Sequence, residues 1–81
     1  MKNIIITGAS RGIGFELVQQ LASQGHNILA LSRHSATIEA LNLPNVHCIP
    51  SDITLETDRE AVAHFVKEQW EQVDILIHNA G

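Results

Sequence analysis

The chain has 81 residues, 44% of them apolar and 17% charged, with 5 basic and 9 acidic side chains, a formal net charge of −4 and no tyrosine. That length makes one small domain, burying only about 60 to 65% of the surface its unfolded form exposes, and so few, scattered cations exclude the basic footprint of a nucleic-acid binder. The single cysteine, Cys48, allows neither an internal disulfide nor a cysteine-based zinc cluster and points to a reducing compartment, the cytoplasm.

No apolar run approaches the ~18 residues of a membrane span, so no membrane partner is expected. Met1-Lys2 leads directly into Ile4-Ile5-Ile6, and no secretory signal is expected either. Asn3 to Thr7 is a short β-branched run ending at Gly8. It is apolar on both faces, which predicts a buried strand covered by helices on either side. Ile13, Leu17, Val18, Leu21 and Ala22 then recur at helical spacing until the stop signal Gly25. Asn27 to Ser32 predicts a second strand, parallel to the first because a helix separates them. Ser35 to Asn42 predicts two helical turns with Ser35 as N-cap and Ile38 and Leu41 inward, stopped by Leu43-Pro44-Asn45. Val46 to Pro50 is a third strand, and Thr57-Asp58-Arg59-Glu60 fits a capping box opening a helix with the apolar stripe Val62, Phe65, Val66 and Trp70. Val73 to His78 is the fourth strand, followed by Asn79-Ala80-Gly81.

The order β-α-β-α-β-α-β predicts an α/β fold with a parallel sheet. The fourth strand would expose an apolar edge with unpaired backbone groups, which folded proteins normally cover. The expectation is therefore that residues 1–81 are the N-terminal part of a longer domain.

Chemistry is signalled first by Thr7-Gly8-Ala9-Ser10-Arg11-Gly12-Ile13-Gly14, between a buried strand and an amphipathic helix. Glycines there permit positive φ and close backbone approach, and the helix start offers free N–H groups and a positive dipole end to a pyrophosphate. The spacing Gly-x-x-x-Gly-x-Gly differs from the commoner Gly-x-Gly-x-x-Gly and lacks the Gly-Lys-Ser/Thr of a P-loop, which disfavours ATP hydrolysis. A glycine-rich tight turn without a ligand is the plainer alternative.

Together with Asp52 after the third strand and Asn79-Ala80-Gly81 after the fourth, this turn resembles the short-chain dehydrogenase/reductase family, over the whole chain. The resemblance implies a Rossmann fold with the pyrophosphate over the turn containing Gly8, Ser10, Arg11, Gly12, Ile13 and Gly14. It also implies adenine near Asp52 and Ile53, and Asn79, Ala80 and Gly81 lining the adenosine ribose side. His78 stands where the family usually has an Asn; a strand-end histidine bonded to backbone is the favoured reading over a chemical role.

An acidic residue at the end of strand two would hold the ribose 2′-OH of NAD. Here that strand ends in Ser32-Arg33-His34. Ser32 can donate to a 2′-phosphate and Arg33 can meet it with a charge-assisted fork, so NADP(H) is the expected cofactor. Arg11 adds a second cation, which in the family also looks like an NADP(H) marker; both arginines as solvated surface residues is the alternative.

The family moves hydride between nicotinamide and a carbonyl or alcohol substrate using a Tyr-x-x-x-Lys pair and a Ser, and its members are expected to be homo-oligomers. With no tyrosine, and with Lys2 and Lys67 outside any such pattern, no catalytic residue is assigned and the 81 residues alone are expected to be inactive. His26, His34, His47 and His64 form no i, i+4 pair, so no metal site is expected. Phe65 and Trp70 read as core, and Cys48 as a small buried hydrophobe. The leading reading is the cofactor-binding half of a cytoplasmic NADP(H)-dependent oxidoreductase. The alternative is a dinucleotide-sensing or scaffold protein. A phosphoacceptor receiver is excluded because it needs an acidic pair where Thr7-Gly8 stands.

Overall fold

Apolar side chains on both faces of a strand need a layer on each side, and the fold supplies both. The computed structural model describes residues 1–52 and 54–79. Four strands, β1 (Asn3–Thr7), β2 (Asn27–Ser32), β3 (Val46–Pro50) and β4 (Ile75–His78), form one sheet in the order β3-β2-β1-β4. Every pairing is parallel. Helix α1 (Gly12–Ser23) connects β1 to β2, α2 (Ala36–Glu39) connects β2 to β3, and α3 (Glu56–Phe65) continues as a π-helical turn, Val66–Trp70, before β4.

The strand period of two sorts the core. Ile4, Ile6, Ile28 and Ala30 pack with Val18 and Ala22 of α1 and Ile38 of α2 on one side. Ile5, Leu29 and Leu31 meet Val62, Phe65, Val66 and Trp70 on the other. The predicted stripe of the last helix is thus a packing face, and Phe65 and Trp70 meet edge-on with ring centroids 5.4 Å apart. The expected parallel α/β sheet with helices on both faces is the observed one.

Four local expectations are corrected. Helix α2 stops at Glu39, not Asn42, because Leu41 and Asn42 donate three residues back, to Ile38 and Glu39, and Asn42 turns left-handed at φ 51°. Ser35 precedes α2 as expected, but its hydroxyl donates to Glu39 Oε2 at 3.3 Å rather than capping a backbone N–H. Helix α3 opens at Glu56, before the predicted capping box; Asp58 reaches back from its first turn to accept from the Asp52 amide at 2.8 Å. Strand β4 begins at Ile75 rather than Val73, because Asp74 ties its start to β1 through both its amide and its carboxylate, bonded to Asn3 O and N. It is an outer strand, with Ile75 41% and Leu76 64% exposed. Cys48 is half-buried, and burial pushes its thiol up from the ordinary value, which suits an inert side chain.

Leu29 is wholly buried at the centre of the smaller core. Leu29→Ala should cost about 2 to 5 kcal/mol by lost transfer energy and cavity, read as a lower midpoint in urea denaturation of the intact protein.

Candidate functional site

The topology opens a crevice where it reverses. From β1 the chain steps outward through β2 to β3, then α3 carries it back across the opposite face to place β4 on the other side of β1. The carboxyl ends of β1 and β4 therefore lie side by side at this reversal, where open α/β sheets bind ligands. A cleft of about 630 Å³ lies there.

The glycine turn forms one wall, and its glycines serve different needs. Gly8 has φ +60°, and a Cβ on it would collide with the backbone oxygen of Asn79. Gly14 is buried at the base of α1, where a Cβ would meet Gly8 O at 2.5 Å and Asn79 Nδ2 at 2.6 Å. Gly12 has φ +63° with nothing within 4 Å of a Cβ position. Two of the glycines thus let the turn sit against the end of β4, and the third holds a left-handed bend facing open space.

Hydrogen bonds fix this contact. Asn79 Nδ2 donates to Gly8 O at 3.1 Å, and the Asn79 amide donates to Thr7 Oγ1 at 3.0 Å. Thr7 Oγ1 also lies 3.0 Å from His78 Nδ1. His78 is therefore a strand-end histidine as expected, but its partner is a hydroxyl rather than backbone. On the other flank, the Ala9 amide donates to Leu31 O and Thr37 Oγ1 donates to Ser10 O at 3.1 Å, tying the turn to β2 and α2. Among the described residues no side chain caps the start of α1, and its first turn carries no acidic residue, so its N–H groups and dipole remain available to an anion.

The ends of β2 and β3 form the far wall. Ser32 is buried, and its Oγ accepts from the His34 amide at 3.2 Å. Arg33 is mostly exposed and its Nη2 lies 3.7 Å from Asp52 Oδ2. Asp52 Oδ1 accepts from both Thr54 Oγ1 at 2.6 Å and the Thr54 amide at 3.0 Å. The hydroxyl bond first, then the amide bond, with Arg33 adding less, hold the Asp52 carboxyl below its ordinary value, so it is ionised at neutral pH.

Gly8, Ser10, Arg11, Ser32, Arg33, Asp52 and Asn79 all line the one cleft. Gly12 and Gly14 shape its wall without lining it, and Ile13 projects from the first turn of α1 with 71% exposure. Ile53, Ala80 and Gly81 lie outside the described residues. Sequence reasoning placed Thr7 in the turn without a role and missed Thr37, Ser51 and Thr54; all four also line the cleft. Ser51 is the most telling of them, a buried hydroxyl with no hydrogen-bond partner among the described residues. Its position directly after an apolar strand was the available signal. Among the described residues no group of three or more His, Cys, Asp or Glu is placed to hold a metal, and no helix is long and apolar enough to cross a membrane.

The family model for short chain dehydrogenases matches residues 2–81. The chain belongs to the short-chain dehydrogenase family. A (+)-neomenthol dehydrogenase of Arabidopsis thaliana is 37% identical over 87 residues, covering 95% of this chain and 29% of that protein. Among solved structures, a menthone neomenthol reductase from Mentha piperita superposes with a TM-score of 0.87 at 33% identity, covering 99% of this chain and 31% of the other. A short chain dehydrogenase from Leptospira borgpetersenii with bound NAD+ gives 0.87 at 29% identity, with the same coverage of 99% and 31%. The chain spans about a third of the length of the curated relatives it matches.

The glycine geometry predicts an order of damage. Gly8→Ala and Gly14→Ala, which bring a methyl group into backbone or the Asn79 amide, should each cost more than the roughly 1 kcal/mol expected of Gly12→Ala, which meets only an unfavourable φ. Chemical denaturation of the three variants checks this.

Proposed function

We propose that residues 1–81 are the cofactor-binding part of an NADP(H)-dependent oxidoreductase acting between a carbonyl and an alcohol on a small molecule. The reading is supported by the residues present. An uncapped helix start beside a glycine turn suits a pyrophosphate. The open space at Gly12 leaves room for a ligand to approach backbone, and Ser51 offers a buried hydroxyl without a partner among the described residues. Gly8, Ser10, Arg11, Gly12, Ile13 and Gly14 would hold the pyrophosphate side. Asp52 and Ile53 would adjoin adenine, and Asn79, Ala80 and Gly81 the adenosine ribose. When bound, the nicotinamide cofactor supplies or accepts the hydride.

The observation that carries NADP(H) over NAD(H) is the end of β2. No carboxylate belongs to that strand end; Ser32, Arg33 and His34 stand there, with the Arg33 guanidinium at the cleft. A carboxylate at this point would accept from a 2′-OH and repel a 2′-phosphate, whereas a guanidinium attracts the phosphate. The fold itself does not choose, since the Leptospira structure has the same architecture and carries NAD+. A half-buried thiol at Cys48 accords with a reducing, cytoplasmic setting.

Arg33→Asp replaces an attractive charge by a repulsive one. It should weaken NADPH by about 10- to 100-fold, from the ~1.5 to 3 kcal/mol of a charge-assisted hydrogen bond, and NADH much less. Fluorescence titration of the intact protein with both cofactors measures this, and equal losses would overturn the assignment.

A further inference from the structure

Arg33 already has a partner in the cleft. Its Nη2 lies 3.7 Å from Asp52 Oδ2, while the other carboxylate oxygen, Oδ1, is taken by the hydroxyl and amide of Thr54 at 2.6 and 3.0 Å. The backbone of Asp52 is held as well, its amide bonded to Asp58 Oδ2 at 2.8 Å and its carbonyl accepting from the Leu55 amide at 2.9 Å. The carboxylate is thus a fixed negative charge, with one oxygen occupied and the other turned to the guanidinium. Arg33 is the more exposed member, with a side chain 71% exposed against 30% for Asp52.

We propose that Asp52 is a specificity-determining residue of this cleft, whose carboxylate competes with a ligand 2′-phosphate for the Arg33 guanidinium and so limits the preference for NADP(H) over NAD(H). This rests on the reading of Arg33 given above. A dinucleotide carrying a 2′-hydroxyl leaves the Arg33–Asp52 pair intact. One carrying a 2′-phosphate draws the guanidinium away and leaves the Asp52 carboxylate without its counter-ion. The phosphate gains Arg33 but gives back part of that gain. Because the pair is solvent-facing and 3.7 Å apart, the penalty is small enough for the phosphate to overcome.

The test is the selectivity ratio, Kd for NADH divided by Kd for NADPH, titrated by fluorescence on the intact protein. The ratio cancels any general loss of cofactor affinity that a merely structural role of Asp52 would cause. Asp52→Asn keeps an oxygen for Thr54 and removes the charge; it should raise the ratio by about 2- to 5-fold. Asp52→Ser, a second neutral side chain with an acceptor for the Thr54 amide, should raise it likewise and serves where the first variant does not fold. In an Arg33→Gln background, which by itself lowers the ratio, the further change Asp52→Asn should leave the ratio within the error of the titration.

A ratio unchanged or lowered by both Asp52 variants would overturn the proposal while leaving the NADP(H) reading intact. A rise of the same size with and without Arg33 would also overturn it, showing that Asp52 acts on the ligand directly. If Arg33→Gln fails to lower the ratio, the NADP(H) reading itself falls and takes this proposal with it.

Discussion

The structure depends on how closely the turn after β1 approaches the end of β4. Side chains at residues 8 and 14 would occupy the space now filled by the backbone oxygen and side-chain amide of Asn79. Without side chains there, Asn79 bonds to Gly8 O and Thr7 Oγ1 and ties the two strand ends that lie on either side of the topological reversal. The same contact sets where α1 begins, because Gly14 is both buried at the turn and part of the first helical turn. Position of the helix start, shape of the cleft and pairing of β1 with β4 are consequences of one steric allowance. Of the turn's three glycines, Gly12 is free of it, and it is Gly12 that faces open space.

The far wall of the cleft follows different physics. Ser32 and Ser51 are buried strand-end residues joined through backbone, Ser51 N donating to Ser32 O at 2.7 Å, so the ends of β2 and β3 are held in register by the sheet itself. The charges beyond them are held unequally. Thr54 bonds the Asp52 carboxylate through hydroxyl and amide, while Arg33 stands largely in solvent with its ion pair to Asp52 at 3.7 Å. A well-bonded anion beside an exposed cation gives this wall a charge pattern that depends on where Arg33 rests. Arg11, exposed at the turn on the opposite wall, adds a cation on a segment fixed by Thr37 and Leu31.

Much of this was legible because strands and their ends leave strong marks. The runs Asn3–Thr7, Asn27–Ser32 and Val46–Pro50 are apolar and bounded by polar or glycine residues, and their limits in the fold are the ones expected. Gly8, Ser32 and Arg33 followed from the ends of the first two strands, and Asp52 and Asn79 from the family resemblance; a parallel sheet gathers all five at one edge. What was not legible depends on three-dimensional competition for hydrogen bonds. Thr57-Asp58-Arg59-Glu60 satisfies the capping-box pattern, yet Asp58 is drawn to the Asp52 amide and α3 starts earlier. Ser35 has the right place for a cap, yet its hydroxyl finds the Glu39 carboxylate. Thr37 carries no local motif, and Ser51 only its place after β3; their importance comes from what the fold brings beside them.

The core is also uneven, and the unevenness bears on the site. The central residues of β1 and β2 are sealed on both faces, with Ile4, Ile6, Ile28, Leu29 and Ala30 at 1% exposure or less. On β4, only Ile77 joins the core, as a partly buried contributor, while Ile75 and Leu76 stand exposed. Asn79 brings the end of β4 against Gly8 and Thr7, so the cleft joins the sealed centre of the sheet to the strand on the other side of β1. A ligand that binds only when Asn79 is seated against Gly8 must add its binding free energy to the pairing of β4 with β1. A dinucleotide resting there would therefore reinforce the contact on which the shape of the cleft depends.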